Sequence, residues 1–294
     1  MADIFDADLE AADYAFPVRV YPAAEPNGAL LVWAHGGGFL GGSLDMPEGD
    51  EVARRIAESG ASVVSVGYSL APPDPLVELL DNGGTDRPLP SREQIEAEIA
   101  ASGPRVRFPI ASLQIVAAFD WAVEHARKLG ADESRVGLGG ASAGGNLTAG
   151  AALRLRDRGD RQPSVLLQCY PVLHAELPAP NEDLATALSY VESSGRSSES
   201  SRVLSLNYVG DPAELQNPYA FPGGHDVSRL PPTLIVTAGR DHLRSSAEAF
   251  AAELALASVD VAIVQERESE HGFLNEVGHP AALRTITRFA QALA

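Results

Sequence analysis

Gly140-Ala141-Ser142-Ala143-Gly144 reads G-x-S-x-G, set between an apolar stretch, Val136-Gly137-Leu138-Gly139, and a stretch rich in Ala and Leu, Gly145 to Arg158. The first has the pattern of a short buried strand and the second that of a helix. A serine on a sharp strand-to-helix turn is pushed out of the sheet with its hydroxyl exposed and its backbone strained. The flanking glycines are needed because such a turn leaves no room for a Cβ beside strand and helix. The helix start also directs a positive dipole end at the site, which suits a developing anion. Any turn of small residues can produce the pentapeptide, so the rest of the chain decides whether Ser142 is a nucleophile.

Ala29-Leu30-Leu31-Val32-Trp33-Ala34 reads as a second buried strand, and His35-Gly36-Gly37-Gly38-Phe39 follows it at once. Acyl transfer passes through a tetrahedral intermediate with a full negative charge on oxygen. Fixed N–H donors aimed at that oxygen are worth about 3–4 kcal/mol each. Consecutive glycines let backbone N–H groups approach a substrate closely, so Gly37 and Gly38 are the expected donors, with Ala143 as the third. The alternatives are a flexible loop or a phosphate cradle, but the latter wants G-x-x-x-x-G-K-[ST], and no Lys follows here. His35 is expected to hold the loop by hydrogen bonds rather than to transfer protons.

Thr233–Gly239 is a further strand pattern, followed by Arg240-Asp241-His242. Val261–Gln265 is another, followed after a short polar loop by Glu270-His271-Gly272-Phe273. The order Ser142, Asp241, His271 is the one an α/β hydrolase uses. A serine hydroxyl needs a base to take its proton, an imidazole does this near neutral pH, and a carboxylate fixes the ring's tautomer. His242 adjoins Asp241, and His174, His225 and His279 also follow apolar or Gly-rich stretches. His271 is preferred because it lies after the next strand, where the base belongs.

With these motifs in place the chain resembles the hormone-sensitive-lipase-like esterases, a bacterial branch of the α/β hydrolases. His35–Phe39 matches that family's HGGG element, Tyr68-Ser69-Leu70-Ala71-Pro72 its Y-R-L-A-P, and Gly140–Leu147 its nucleophile turn. Gly239–Arg244 matches its G-x-D-x-L-R, and His271-Gly272-Phe273 its H-G-F. The resemblance runs from about residue 29 to the C-terminus. It implies esterase activity on short acyl chains and a homodimer. Three departures stand out. Ala141 replaces the usual Asp before the nucleophile, and Ser69 replaces an Arg. The roughly 35 residues expected as a helical cap before the first strand are missing, while an insert follows Pro73.

The 294 residues are 45% hydrophobic and 21% charged, enough for one globular domain over 1–294 with a large core. Strands alternate with helical patterns at Pro47–Glu58, Ile110–Leu129, Gly144–Arg158, Arg244–Leu256 and Pro280–Leu293. The expected fold class is therefore α/β, an α/β-hydrolase fold with a mostly parallel sheet, helices on both faces and a small lid from insertions. Net charge −18 argues against nucleic acid or an anionic membrane as partner. Cys169, the single cysteine, lies in the apolar strand Val165–Tyr170 and reads as core packing. No long apolar run and no signal-like start is present, so a cytoplasmic location is expected. No metal-ligand cluster or nucleotide fingerprint occurs, and no cofactor is expected.

Residues 74–104 and 182–222 are the candidate lid segments, since both leave strand ends on the active-site edge. In the first, Ser91 and Gln94 form a capping pattern and Ile95 and Ile99 share a face. Phe39, Leu40, Leu173, Tyr208 and Phe273 are candidate walls of the substrate pocket. The reading is a serine carboxylic-ester hydrolase for small to medium acyl esters, working through an acyl-enzyme. Amide or lactone hydrolysis or a lyase step on the same triad stays open, as does a non-catalytic binding protein of this fold.

Overall fold

The computed structural model describes residues 3–74, 104–190 and 198–294, together with Glu93 and Ala97. Its described strands form one sheet of eight: β1 Phe5–Ala11, β2 Tyr14–Tyr21, β3 Gly28–Ala34, β4 Ser62–Val66, β5 Ala131–Ala141, β6 Leu166–Cys169, β7 Thr233–Arg240 and β8 Val261–Glu270. The order across the sheet is β1-β2-β4-β3-β5-β6-β7-β8. β1, β2 and β4 pair antiparallel, and every pairing from β4 to β8 is parallel. The described α-helices are α1 Asp50–Glu58, α2 Ile110–His125, α3 Ala143–Arg158, α4 Glu182–Ser189, α5 Ser198–Val209, α6 Arg244–Leu256 and α7 Pro280–Leu293.

The alternation of side chains along β3 explains why the sheet is covered on both faces. Leu30, Val32 and Ala34 join one apolar cluster with residues of α2, α3 and α6. Ala29, Leu31 and Trp33 join the other, with Val52 and Ile56 of α1 and Ile286 and Phe289 of α7. Every β3 residue from Ala29 to Ala34 is at most 1% exposed, which a strand facing water on one side could not show. α1 sets its Val52, Ala53 and Ile56 stripe inward and pairs Arg54 with Asp50 and Arg55 with Glu51 on its outer side. α7 begins with Pro280 at its first position, where the missing N–H costs nothing, and His279 Nδ1 accepts the N–H of Ala281.

Several expectations need correction. The first strand is not the one at residue 29. β1 and β2 precede it as a hairpin closed by Ala12 and Asp13, both at positive φ (50° and 67°), the geometry of a tight two-residue turn. β8 continues unbroken to Glu270, so no loop separates it from His271. The helix expected over Ile110–Leu129 is α-helical to His125 and ends in a tighter 3-10 turn, Ala126–Leu129. Residues 182–222 carry α4, α5 and a 3-10 turn, Pro212–Gln216, none of which the sequence pattern announced. The helix expected around Ser91–Ile99 lies outside the described residues, save Glu93 and Ala97.

Candidate active site

The candidate side chains leave the carboxyl ends of strands in the parallel part of the sheet: His35 after β3, Ser142 after β5, Asp241 after β7 and His271 after β8. An open α/β sheet presents its ligand crevice at that edge. Ser142 has φ 54° and ψ −118°, a conformation costing about 1–3 kcal/mol for a residue with a Cβ. Its surroundings hold it there. The Ser142 N–H donates to Cys169 O at 2.9 Å, and Asn146 N–H donates to Ser142 O at 3.2 Å. A Cβ on Gly140 would lie 2.5 Å from Gly144 backbone, and one on Gly144 would lie 2.2 Å from Ala34 O. The two glycines of the motif are therefore a steric requirement of the turn.

His271 Nδ1 donates to Asp241 Oδ2 at 2.7 Å, and Ser142 Oγ donates to His271 Nε2 at 2.9 Å. Asp241 is 3% exposed, and its other oxygen accepts from Leu243 N–H at 3.0 Å, which fixes its rotamer. The Tyr170 ring packs against the imidazole with centroids 4.8 Å apart. His242, the neighbour that competes in sequence, lines the same cavity but does not stand between the carboxylate and the serine.

Gly37 and Gly38, with φ of +125° and +62°, line the cavity with Ser142. Among the described residues no acceptor engages their N–H groups. Ala143 opens α3, so its N–H has no partner within the helix. The glycine loop is anchored from behind. His35 is 1% exposed and donates from Nδ1 to Gly36 O at 2.7 Å, and it stacks on Tyr68. Burial pulls its pKa down to about 4, so it stays neutral and structural. Tyr68 donates its hydroxyl to His35 O at 2.9 Å. Ser69, where the family carries Arg, exchanges hydrogen bonds with the Gln114 side chain at 2.7 and 2.9 Å. Arg105 donates to Leu40 O and Ala71 O. Ala141 sits in the apolar cluster under the sheet with Trp33 and Cys169.

The cavity measures about 390 Å³, and Ser200, Ser201, Leu204 and Ser205 of α5 form its far side. Phe39 and Leu40 line it as expected. Leu173, Tyr208 and Phe273 are not among its described lining residues and are at most 1% exposed. Tyr208 stacks on the back of Phe39 at 4.1 Å, and Phe273 packs edge-on against Tyr170 at 5.0 Å. Sequence reasoning missed Glu48, Met46, Val172 and Asn275, all of which line the cavity. Of these Glu48 is a carboxylate 2% exposed, whose sequence context, Met-Pro-Glu-Gly, reads only as a turn.

The family described as having the alpha/beta hydrolase fold matches this chain over residues 31–84 and 101–275, and the chain belongs to it. Carboxylesterase NlhH of Mycobacterium tuberculosis is 32% identical over 94% of this chain and 77% of its own length. Bovine hormone-sensitive lipase is 31% identical over 52% of this chain and 16% of its own. The Pyrobaculum calidifontis esterase superposes with a TM-score of 0.80 at 28% identity, covering all of this chain and 85% of that one. The chain is an ester hydrolase of the hormone-sensitive-lipase-like group. No helix among the described residues is long and apolar enough to cross a membrane.

Proposed function

We propose that this hydrolase cleaves carboxylic esters of small to medium, uncharged acids through an acyl-enzyme on Ser142. The observation that carries the proposal is the unbroken chain Asp241–His271–Ser142, at 2.7 and 2.9 Å, opening into a cavity with two glycine N–H donors beside it. His271 Nε2 takes the Ser142 proton as Oγ attacks the carbonyl carbon. The Gly37, Gly38 and Ala143 N–H groups receive the oxyanion. The imidazolium, held by Asp241, then protonates the leaving alkoxide as the C–O bond breaks. Water repeats the sequence on the acyl-serine, His271 taking its proton and returning it to Ser142.

A cavity of about 390 Å³ sits at the small end of ligand sites, which supports short acyl groups. Its described lining contains Glu48 and Asp241 and no Lys or Arg, which disfavours an anionic acid. In this reading the chain is one α/β-hydrolase domain and residues 182–222 act as a lid, while the lid segment expected over 74–104 lies, save Asp74, Glu93, Ala97 and Pro104, outside the described residues. A cytoplasmic homodimer without nucleic-acid or membrane partners completes the proposal: the net charge of −18 weighs against polyanionic partners, the single buried cysteine fits a reducing compartment, and the dimer rests on the family likeness alone. The test is chemical. A fluorophosphonate should label one serine, and peptide mapping should find it at 142, with p-nitrophenyl acetate protecting. Label on another residue overturns the reading.

A further inference from the structure

Glu48 lies between β3 and α1, 2% exposed, and its carboxylate touches both halves of the site. Gly36 N–H, next to the oxyanion glycines, donates to its Oε1 at 2.9 Å. Asn275 Nδ2, four residues past His271, donates to its Oε2 at 2.7 Å. The backbone N–H of Glu48 donates back to Asn275 Oδ1 at 3.2 Å, and Trp33 Nε1 donates to Glu48 O at 2.8 Å. The side chain is thus fixed at both ends, and it faces the cavity that holds Ser142 and His271. A Cβ on Gly36 would lie 2.6 Å from Oε1, so that loop residue and the carboxylate are fitted to each other.

A buried carboxylate is retained only where donors and charge compensate its lost hydration. The donors that reach Glu48 are neutral: Gly36, Asn275 and the Tyr170 hydroxyl. Burial raises its pKa, and the attraction of a protonated His271 is the largest influence opposing that rise. The other titratable groups that Glu48 influences are Tyr68, Tyr170 and Cys169, all held protonated by burial, while buried His35 stays neutral. His271 is therefore the group facing Glu48 whose charge changes during turnover.

We propose that Glu48 is a positioning residue that ties the oxyanion loop to the histidine segment and supplies, besides Asp241, a second negative charge for the imidazolium. This rests on the assignment of Ser142 and His271 above. The charge is worth most when the imidazolium exists, in the two tetrahedral transition states, so its loss falls on kcat rather than KM. Glu48→Gln keeps the volume but presents an NH₂ to Gly36 or Asn275, both donors. Glu48→Gln with Asn275→Asp restores an amide–carboxylate pair across the same contact and returns the charge to the site.

The experiment is a pH profile of kcat/KM on p-nitrophenyl acetate for wild type, E48Q and the exchanged pair. E48Q should lose about tenfold or more, mainly in kcat, and its acid limb should move to lower pH by roughly half a unit or more, since removing an anion disfavours the imidazolium. The exchanged pair should recover kcat to within about threefold of wild type and bring the limb back. A folded E48Q with wild-type kcat, or with lost kcat but an unmoved limb, overturns the proposal. Should E48Q not fold, the exchanged pair decides: a folded protein more than about tenfold slower than wild type overturns it as well. Fluorophosphonate labelling of Ser142 in the wild type reports separately on the triad, so an unmoved profile in a labelled protein removes only the role given to Glu48.

Discussion

Among the described residues a serine, a histidine and a carboxylate stand in hydrogen-bonded series at two places. At the sheet's carboxyl edge, Asp241 binds His271 Nδ1 and Ser142 donates to Nε2. On the face covered by α6, the ring is used the other way round: Ser246 donates to His174 Nδ1 at 2.9 Å, and Nε2 donates to Glu253 Oε1 at 3.0 Å. The residue types agree and the distances agree to within a few tenths of an ångström, yet the surroundings differ in every respect that matters for attack. Ser246 is fully buried, and its Oγ already accepts the N–H groups of Leu173 and His174 at 2.9 and 3.0 Å. Ser142 lines a cavity, stands at a strained turn and has two glycine N–H groups beside it. Residue composition makes a hydrogen-bond relay. A reaction site also needs an unencumbered oxygen, room for an acyl group and donors for the oxyanion.

The sharpest way to break this contrast is to truncate both serines. Ser142→Ala should cut ester hydrolysis by about 10⁴-fold or more, while Ser246→Ala should leave kcat/KM within about twofold. The second variant should instead lose about 1–3 kcal/mol of stability, because two buried N–H groups lose their acceptor, and its Tm should fall by several degrees. Comparable activity losses in the two would erase the distinction. Asp241→Asn comes next. It keeps the ring's neighbour but removes the charge and favours the wrong tautomer, so kcat should fall by about 10²–10⁴-fold with folding intact in a thermal melt. A smaller effect belongs to the cavity itself. Leu204 approaches Gly38 so closely that a Cβ there would lie 3.2 Å from its Cδ1. Leu204→Ala should shift kcat/KM toward butyryl over acetyl esters by roughly threefold to tenfold, and an unchanged ratio would remove α5 from the acyl wall.

What could be read from the sequence divides along a similar line. The Ser142 turn, the glycine loop and the strands of the parallel sheet were legible because each imposes a local requirement. Gly140 and Gly144 have no space for a Cβ, and β3 must be apolar on both faces. β1 and β2 were not legible. Phe5–Ala11 carries acidic residues at alternate positions on an edge, and Pro17 stands inside β2. The proline is tolerated because the pairing of β2 with β4 begins only at Val18. β8 read as ending at Gln265 because its last residues are charged, as an edge strand permits. Leu173, Tyr208 and Phe273 have the right chemistry and chain position for a pocket, but apolar type does not reveal whether a residue after a strand, on a helix or in a turn faces the cavity or the core behind it. Glu48 was hidden for a different reason: its partner Asn275 is 227 residues away, and no local pattern encodes that meeting.

The smallest effect separates the two relays by pH. Burial tends to raise the Glu253 carboxyl, but the hydrogen bond from His174, the Gly224 N–H and the nearby imidazole charge outweigh it, and its pKa falls below the ordinary value of 4.5. A carboxylate lowered on folding contributes stability that is present above its unfolded value and is lost as pH falls through the folded one. The gap in unfolding free energy between wild type and Glu253→Gln should therefore be constant from about pH 7 down to about pH 5 and close below that. With Glu253 about a quarter exposed, solvent screening keeps this gap to about 1 kcal/mol or less. Ester turnover by the variant should match wild type at neutral pH, since nothing in this relay reaches the cavity. Urea titrations at several pH values, beside rate measurements on the same samples, read both quantities. A gap that widens in acid, or a loss of turnover at neutral pH with folding intact, would contradict the assignment of this second array to architecture alone.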